Sequence, residues 1–319
     1  MYETRNYDTL IKPAGIDGTV EAARLLKSGE VVAIPTETVY GLAGNALDPK
    51  AIAKIFAAKG RPRDNPLIVH AADMEAVRGL GLEVSPLAVR LAADFWAGPL
   101  TMVMKKVGDT VPGEVSCGLG TVAVRVPGCP AALDIIKACG FPLAAPSANV
   151  SGAPSPTKAE HVYADLKGRI PLIIDGGECE VGLESTVIAL EGDKARILRP
   201  GAVTAERLRE YCEVVIDEVV YKDFTGGGSA PSPGAAHRHY SPKARVIAVT
   251  ADSDEAFKAV AAGGCAIADP EARTLFAKLR EFDEQGAKRV YIKLPEPNGA
   301  GLALYNRIIR AAGFNVVKA

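Results

Sequence analysis

Asp48-Pro49-Lys50-Ala51-Ile52-Ala53-Lys54-Ile55-Phe56-Ala57-Ala58-Lys59-Gly60-Arg61-Pro62-Arg63-Asp64-Asn65-Pro66-Leu67-Ile68-Val69-His70 reads as a helix, a basic turn and a strand in direct succession. Asp48 is an N-cap residue, and Pro49 fits the first helical position, where a missing N–H costs nothing. Gly60 stands just past the end, where a left-handed residue is wanted. Ile52, Ile55 and Phe56 supply the apolar face, and Leu67-Ile68-Val69-His70 makes the strand. A helix feeding a strand through a short turn is the unit of an α/β fold.

The same alternation runs outward in both directions. Asp17 to Ser28 reads as a helix closed by Gly29, Val31 to Ile34 as a buried strand, and Ser85-Pro86 opens a helix toward Trp96. Further strands are expected around Leu100 to Met104, Val122 to Val126, Leu143 to Ala145 and Leu172 to Ile174. Thr157-Lys158-Ala159-Glu160 has the form of a capping box, in which hydroxyl and carboxylate would each satisfy a free backbone N–H. Thr186 to Leu190 and Ala195 to Leu198 flank Glu191-Gly192-Asp193 as in a hairpin, so the sheet should be mixed.

From Tyr221 to Lys243 the composition changes to Thr225-Gly226-Gly227-Gly228-Ser229-Ala230-Pro231-Ser232-Pro233-Gly234 and then Ala235-Ala236-His237-Arg238-His239-Tyr240-Ser241-Pro242, which builds no core and reads as a linker. Beyond it, Arg245 to Thr250, Cys265 to Ala268 and Arg289 to Leu294 are strands, alternating with helices near Ser253 to Ala262, Pro270 to Glu281 and Leu302 to Ala312. The expected organisation is a catalytic domain over 1–217, a linker over 218–243 and a small parallel, Rossmann-like domain over 244–319. No Gly-x-Gly-x-x-Gly follows a strand in the second domain, so nucleotide binding is not expected there.

Composition narrows the function. A chain of 319 residues, 48% hydrophobic and 24% charged, can bury ordinary cores, and its net charge of −1 argues against a polybasic coat for nucleic acid or membranes. The six cysteines contain no Cys-x-x-Cys pair and the four histidines no ligand spacing, so no structural zinc site is expected. The first residues lack a signal-peptide core, and no stretch of about 18 apolar residues is available to span a bilayer. A cytoplasmic protein with reduced thiols is expected.

Polar and charged residues cluster where apolar runs end. Lys59, Arg61 and Arg63 follow a helix and precede a strand, so their turn can aim cations at a polyphosphate or carboxylate. The plainer reading is that they complement the helix dipole, worth ~0.3 to 1 kcal/mol. Pro35-Thr36-Glu37-Thr38-Val39-Tyr40-Gly41-Leu42 leaves the first strand, and Pro146-Ser147-Ala148-Asn149-Val150-Ser151-Gly152 repeats the theme after another. Crevices beyond strand ends are where α/β folds hold ligands. Arg125 shares a strand face with Thr121 and Ala123 and must meet solvent, a partner or a ligand, since an unpaired buried charge is costly. His70, Ser185-Thr186 and Arg199-Pro200-Gly201 complete the set. A P-loop and a Gly-x-Ser-x-Gly elbow are both absent, so the chemistry suits positioning and charge neutralisation rather than covalent catalysis.

Lys59-x-Arg61 with Ser147-x-Asn149, the Pro35 to Leu42 segment, Asn65-Pro66-Leu67-Ile68-Val69-His70, Ser185-Thr186-Val187-Ile188 and Arg199-Pro200-Gly201 resemble the YrdC-type threonylcarbamoyl-AMP synthases. Ser232-Pro233-Gly234 and His239-Tyr240-Ser241-Pro242, followed by a small α/β unit, resemble the long two-domain form, although Ala235-Ala236 stands where a larger apolar residue is expected. The resemblance implies a YrdC-like twisted mixed sheet and an enzyme that joins L-threonine, bicarbonate or carbon dioxide, and ATP into threonylcarbamoyl-adenylate, releasing pyrophosphate. Other proteins would transfer the group to adenosine beside the tRNA anticodon, with at most weak tRNA contact by this chain. By motif position Lys59 and Arg61 would be catalytic, and Thr38, His70, Arg125 and Ser185 would hold threonine, Arg125 at its carboxylate. Arg61, Asn65, Thr121, Ser147, Asn149, Ser155 and Arg199 would hold ATP, whose phosphates would carry magnesium. Tyr240 is implied as a lid over the pocket, the alternative being an aromatic packed between domains.

Two other readings stay open at this point. Lys54, Lys59, Arg61, Arg63, Lys105 and Lys106 could form a basic surface for double-stranded RNA or ribosomal precursors, against which the overall charge counts. Carbamoyl transfer in hydrogenase maturation uses similar domains, but no cysteine-rich zinc segment precedes this one.

Overall fold

The computed structural model describes residues 6–223 and 239–319. Met1 to Arg5 and residues 224–238, with Ser232-Pro233-Gly234 and Ala235-Ala236-His237-Arg238, lie outside the described residues. The strands are β1 (Leu10–Pro13), β2 (Val32–Ile34), β3 (Gly41–Asn45), β4 (Ile68–His70), β5 (Leu100–Lys105), β6 (Thr121–Arg125), β7 (Leu143–Ala144), β8 (Leu172–Asp175), β9 (Thr186–Glu191), β10 (Lys194–Arg199), β11 (Glu213–Ile216), β12 (Arg245–Thr250), β13 (Cys265–Ile267), β14 (Arg289–Lys293) and β15 (Val316–Lys318). The helices are α1 (Ile16–Lys27), α2 (Pro49–Lys59), α3 (Met74–Arg78), α4 (Pro86–Phe95), α5 (Gly113–Ser116), α6 (Pro130–Cys139), α7 (Ala159–Leu166), α8 (Ala205–Arg209), α9 (Asp254–Ala261), α10 (Leu275–Glu284) and α11 (Gly301–Ala311).

The first eleven strands form one sheet in the order β1-β8-β2-β3-β7-β4-β6-β5-β9-β10-β11. Parallel pairs (β1 with β8, β4 with β6, β5 with β9) alternate with antiparallel ones (β2 with β3, β5 with β6, β9 with β10), so the sheet is mixed as expected. The last four strands form a second sheet, β13-β14-β12-β15, parallel throughout.

Alternation along the strands feeds a core on each face of the large sheet. Val32, Ile34, Leu172 and Ile174 pack with Leu26 of α1 and Ile135 of α6. Ala33 and Ile173 point the other way, into the main core with Ile52 and Ile55 of α2, Leu91 of α4 and Val162 of α7. In the small sheet Val246 and Ala248 face α10 and α11, while Ile247 and Val249 face Phe257 of α9.

The helix that anchors the sequence reading forms for the reasons its residues suggest. Asp48 accepts a hydrogen bond from the Lys50 N–H at 2.8 Å, Pro49 opens α2, and Gly60 closes it at φ 61°, ψ 34°. Ser85 and Ser253 cap α4 and α9 in the same way, each with a 3.1 Å bond three residues on.

The expected capping box at Thr157 does not form. α7 starts at Ala159 after Lys158 with no side-chain cap, and His161 Nδ1 accepts the Thr157 backbone N–H at 3.2 Å, the donor a box would have assigned to Glu160. Residues 41–42, read as a turn, instead begin β3, which returns antiparallel to β2 with Ile34 opposite Gly41. The linker's first residues are docked rather than loose. Val219 and Val220 form a buried 3-10 turn whose carbonyls accept hydrogen bonds from Arg310 Nη2 (2.8 Å) and Asn306 Nδ2 (2.6 Å) of α11.

Candidate active site

Strand register gathers the polar residues at one edge of the large sheet. His70 at the end of β4 pairs with Arg125 at the end of β6. β5 runs antiparallel to β6, which brings Leu100 to the same edge, and there Leu100 pairs with Thr186 at the start of β9. Gly41 bridges to Ser147, so the turn after β2 and the loop after β7 lie side by side. The cavity at this edge is lined by Thr36, Thr38, Arg61, His70, Arg125, Ser147, Asn149, Ser155, Glu184, Ser185, Arg199, His239 and Tyr240.

On one side, hydroxyls and a guanidinium converge. Arg125 Nη1 donates to Thr38 Oγ1 at 3.0 Å, and its Nε to the Gly98 carbonyl at 3.1 Å. Its Nη2 lies 2.6 Å from Glu37 Oε1, so of solvent, a partner or a ligand the charge meets a partner inside the protein. Glu37 also accepts the Gly128 N–H at 2.9 Å. Ser185 Oγ lies 2.7 Å from Thr101 Oγ1 and accepts from Arg199 Nη2 at 3.0 Å, while Arg199 Nε donates to the Ser185 carbonyl at 3.0 Å.

On the other side, Arg61 is fixed by donation from Nη2 to Asn65 Oδ1 (2.7 Å) and the Pro66 carbonyl (2.8 Å), and from Nε to the Asn65 carbonyl (3.1 Å). Burial pushes its pKa down to about 10, so it stays charged at neutral pH. Ser147 Oγ donates to Asn149 Oδ1 at 2.5 Å, and Asn149 Nδ2 ties the loop to the Val150 and Ala153 carbonyls.

Lys59 departs from the expectation. It is the last residue of α2 rather than part of a loop, is 1% exposed, and does not line the cavity. Its Nζ donates to the Ser147 carbonyl and, at 2.6 Å, to the Asn149 carbonyl. Burial, with Arg61 nearby, holds its pKa well below the usual lysine range. Asn65 likewise sits behind the cavity wall, as the partner of Arg61. Thr121 stands at the far end of β6, four positions before Arg125 and outside the lining, and Arg63 is exposed.

His70 is 3% exposed, and burial followed by the nearby Arg125 lowers its pKa from 6.5 to about 3. It is therefore neutral at physiological pH and too weak a base to take a proton there. With Nδ1–H donating to the Ile68 carbonyl at 3.3 Å, Nε2 is an acceptor on the cavity side. Because the folded pKa lies below the unfolded one, the stability that neutral His70 contributes is fully present above pH 6.5. It is lost as the pH falls toward 3, by about 1.4 kcal/mol per pH unit. Denaturant unfolding of the parent and His70→Gln between pH 7 and 4.5 should show the parent losing stability more steeply. Equal slopes would refute the assignment.

The linker, packed on the second domain, completes the wall. Tyr240, 5% exposed, stacks on Phe276 of α10 with ring centroids 5.3 Å apart and carries the Arg307 guanidinium 5.4 Å over its ring. It packs between domains, as the alternative reading has it, and also lines the cavity. Asn65 Nδ2 reaches His239 Nε2 at 3.5 Å. Glu184, which the sequence reading passed over, accepts from Ser155 Oγ with Oε1 and pairs through Oε2 with Arg307 Nε at 2.8 Å. Burial pushes its pKa up, but Arg307 and Arg199 outweigh that and hold the carboxyl below its ordinary value. The signal for Glu184 was its place before Ser185-Thr186 at a strand start. The carboxylates Glu37 and Glu184 are thus committed to arginines, and the described residues contain no group of three or more His, Cys, Asp or Glu fit to hold a metal.

Comparison with known proteins agrees with this geometry. Residues 24–201 match the family profile Sua5–YciO–YrdC, described as "Telomere recombination", and residues 203–313 match "Threonylcarbamoyl-AMP synthase, C-terminal domain". Among curated proteins the chain is 42% identical to a threonylcarbamoyl-AMP synthase of Pyrococcus abyssi over 324 residues, covering 93% of this chain and 94% of that one. It is 40% identical to a protein of the same name from Bacillus subtilis over 328 residues, with the same coverage. Among solved structures it resembles P. abyssi Sua5 complexed with L-threonine, with a TM-score of 0.89, 40% identity and 98% of each chain covered.

Proposed function

The chain belongs to the Sua5–YciO–YrdC family, and from that premise we propose that it is a threonylcarbamoyl-AMP synthase, a nucleotidyltransferase that makes threonylcarbamoyl-AMP from L-threonine, bicarbonate or carbon dioxide, and ATP, with release of pyrophosphate. The observation that carries this reading is a single cavity with hydroxyls, a neutral imidazole and a paired arginine on one side, an amide loop with Arg61 on the other, and Arg199, held on Ser185, also lining it. The first side suits a small hydroxy amino acid. Thr38, Ser185 and His70 Nε2 would meet its polar groups, and its carboxylate would share Arg125 with Glu37. Arg61, Arg199, Ser147, Asn149 and Ser155 suit the nucleotide.

In this reaction the threonine amine adds to carbon dioxide with loss of a proton, or to bicarbonate with loss of water, and an oxygen of the resulting carbamate attacks the α-phosphorus of ATP as the bond from that phosphorus to the bridging oxygen breaks and pyrophosphate leaves. Two anions must approach, so the fixed cations Arg61 and Arg199 offset their repulsion and meet the charge that develops on pyrophosphate. Magnesium would enter as the ATP complex, since both nearby carboxylates are occupied. The product would pass to cytoplasmic proteins that transfer the threonylcarbamoyl group to tRNA adenosine. An RNA-binding role has less support: Lys59, one of the six residues expected to form a basic surface, is buried.

The test is pyrophosphate release from ATP, magnesium, L-threonine and bicarbonate by the purified protein. Release should need all of them, and release that is indifferent to omitting threonine or bicarbonate would defeat the proposal.

A further inference from the structure

The loop that follows Asn149 is held from both sides: Lys59, Asn149 and Glu184 bond it within the first domain, the Ser151 N–H reaching the Lys59 carbonyl at 2.9 Å, and Arg280 and Ser241 bond it from beyond that domain. Arg280 of α10 forks onto Asp165 (Nη1 to Oδ1 at 2.9 Å, Nη2 to Oδ2 at 2.8 Å) and also donates from Nη2 to the Pro154 carbonyl at 2.5 Å. Asp165 Oδ2 in turn accepts the Val150 N–H at 3.2 Å. The Ser241 N–H donates to the Gly152 carbonyl at 2.8 Å. At the far end Ser155 gives its hydroxyl to Glu184, whose other oxygen pairs with Arg307, a side chain with 0% exposure. Direct contacts from Arg280 and Ser241 therefore fall at Pro154 and Gly152, while Arg280 reaches Val150 through Asp165 and Arg307 reaches Ser155 through Glu184. Among the described residues neither Thr38 nor His70 makes a hydrogen bond to the second domain: Thr38 bonds Thr36 and Arg125, and His70 the Ile68 carbonyl, although Val39 beside Thr38 packs in the second-domain core.

We propose that Arg280 and Arg307 are positioning residues for the nucleotide half of the site: the second domain sets ATP affinity by bracing the 149–155 loop and Ser155, and neither arginine bonds Thr38, His70, Arg125 or the Ser185 hydroxyl. Arg307 has a second task in the same arrangement. Glu184 lines a cavity meant for polyphosphate, where a bare carboxylate would repel the ligand, and Arg307 is the cation that cancels it. A displacement of about 1 Å in such a loop is enough to cost up to roughly a hundredfold in rate. The effect should fall on the substrate whose contacts the loop carries.

This inference rests on the proposed synthase activity, so its test separates the two. Binary binding of L-threonine and of ATP to the full-length protein is measured calorimetrically for the parent, Arg280→Ala, Arg280→Lys and Arg307→Lys, alongside steady-state pyrophosphate release. The expected result is an ATP affinity, and KM for ATP, weakened by about tenfold or more in Arg280→Ala and Arg307→Lys. L-Threonine affinity should stay at the parental value, and Arg280→Lys should recover part of the loss because one of its two contacts can be kept. Arg307→Lys retains the buried charge, so this arm does not depend on a variant that strands Glu184. Unchanged ATP affinity in both arginine variants would overturn the proposal, and so would equal loss of both ligands, which marks a general support of the fold. A parent that binds neither ligand would instead overturn the synthase reading itself.

Discussion

Arg61→Ala should lower kcat/KM for ATP by about a thousandfold or more while the protein still unfolds cooperatively. Arg61 is held by three hydrogen bonds to Asn65 and Pro66 through Nε and Nη2, none of which uses Nη1. The guanidinium is thus fixed before substrate arrives, and the cost of orienting a charge at the moment of reaction is avoided. Arg61→Lys keeps a cation but not a fork, and should recover little. The measurement is pyrophosphate release by both variants over a range of ATP concentrations, with thermal unfolding as the control for folding. Turnover in Arg61→Ala within a few-fold of the parent would show that Arg61 only braces the turn.

Lys59→Met should fail differently, losing stability and activity together. Methionine matches the volume but removes both donors, so the carbonyls of Ser147 and Asn149 are left facing a thioether. Stranding two buried acceptors costs about 2 to 5 kcal/mol. The Ser147 to Asn149 loop would also lose the clamp that aims its polar groups into the cavity. Denaturant unfolding and turnover measured together test this. A fully stable, inactive Lys59→Met would place the ammonium at the phosphates after all, as the sequence alone suggested.

Much of the fold was legible where one segment carried its own instructions. α2 and β4 follow from a cap, a proline, an apolar stripe and a terminal glycine, and the β9–β10 hairpin from two apolar runs around Glu191-Gly192-Asp193. β3 was not legible because Gly-Leu-Ala-Gly-Asn has little strand character. Its glycines answer to close packing, since a Cβ on Gly44 would lie 3.1 Å from Ile55 of α2. The short edge strands β1, β11 and β15 carried too little pattern to separate from loops. In the site, residues at strand ends could be named one by one, but not their pairings. That Lys59 would turn to carbonyls 88 and 90 residues away, and that Arg125 would find Glu37, depends on register. The Glu184–Arg307 and Asp165–Arg280 pairs span 123 and 115 residues and join the two sheets' domains, which no local pattern announces.

The burial of the Glu184–Arg307 pair also sets a rule for dissecting the molecule. A fragment that stops after the large sheet would keep the carboxylate and discard its cation, together with the Tyr240 ring that carries that cation. Such a fragment should lose stability at neutral pH for a reason unrelated to its own core, because Glu184 would keep Arg199 nearby but lose the arginine it is paired with, and an under-compensated charge is more costly than a neutral amide in the same place. Anyone trimming this protein to its first domain should therefore change Glu184→Gln in the same step. Of the two trimmed chains, the one carrying glutamine should be the easier to fold.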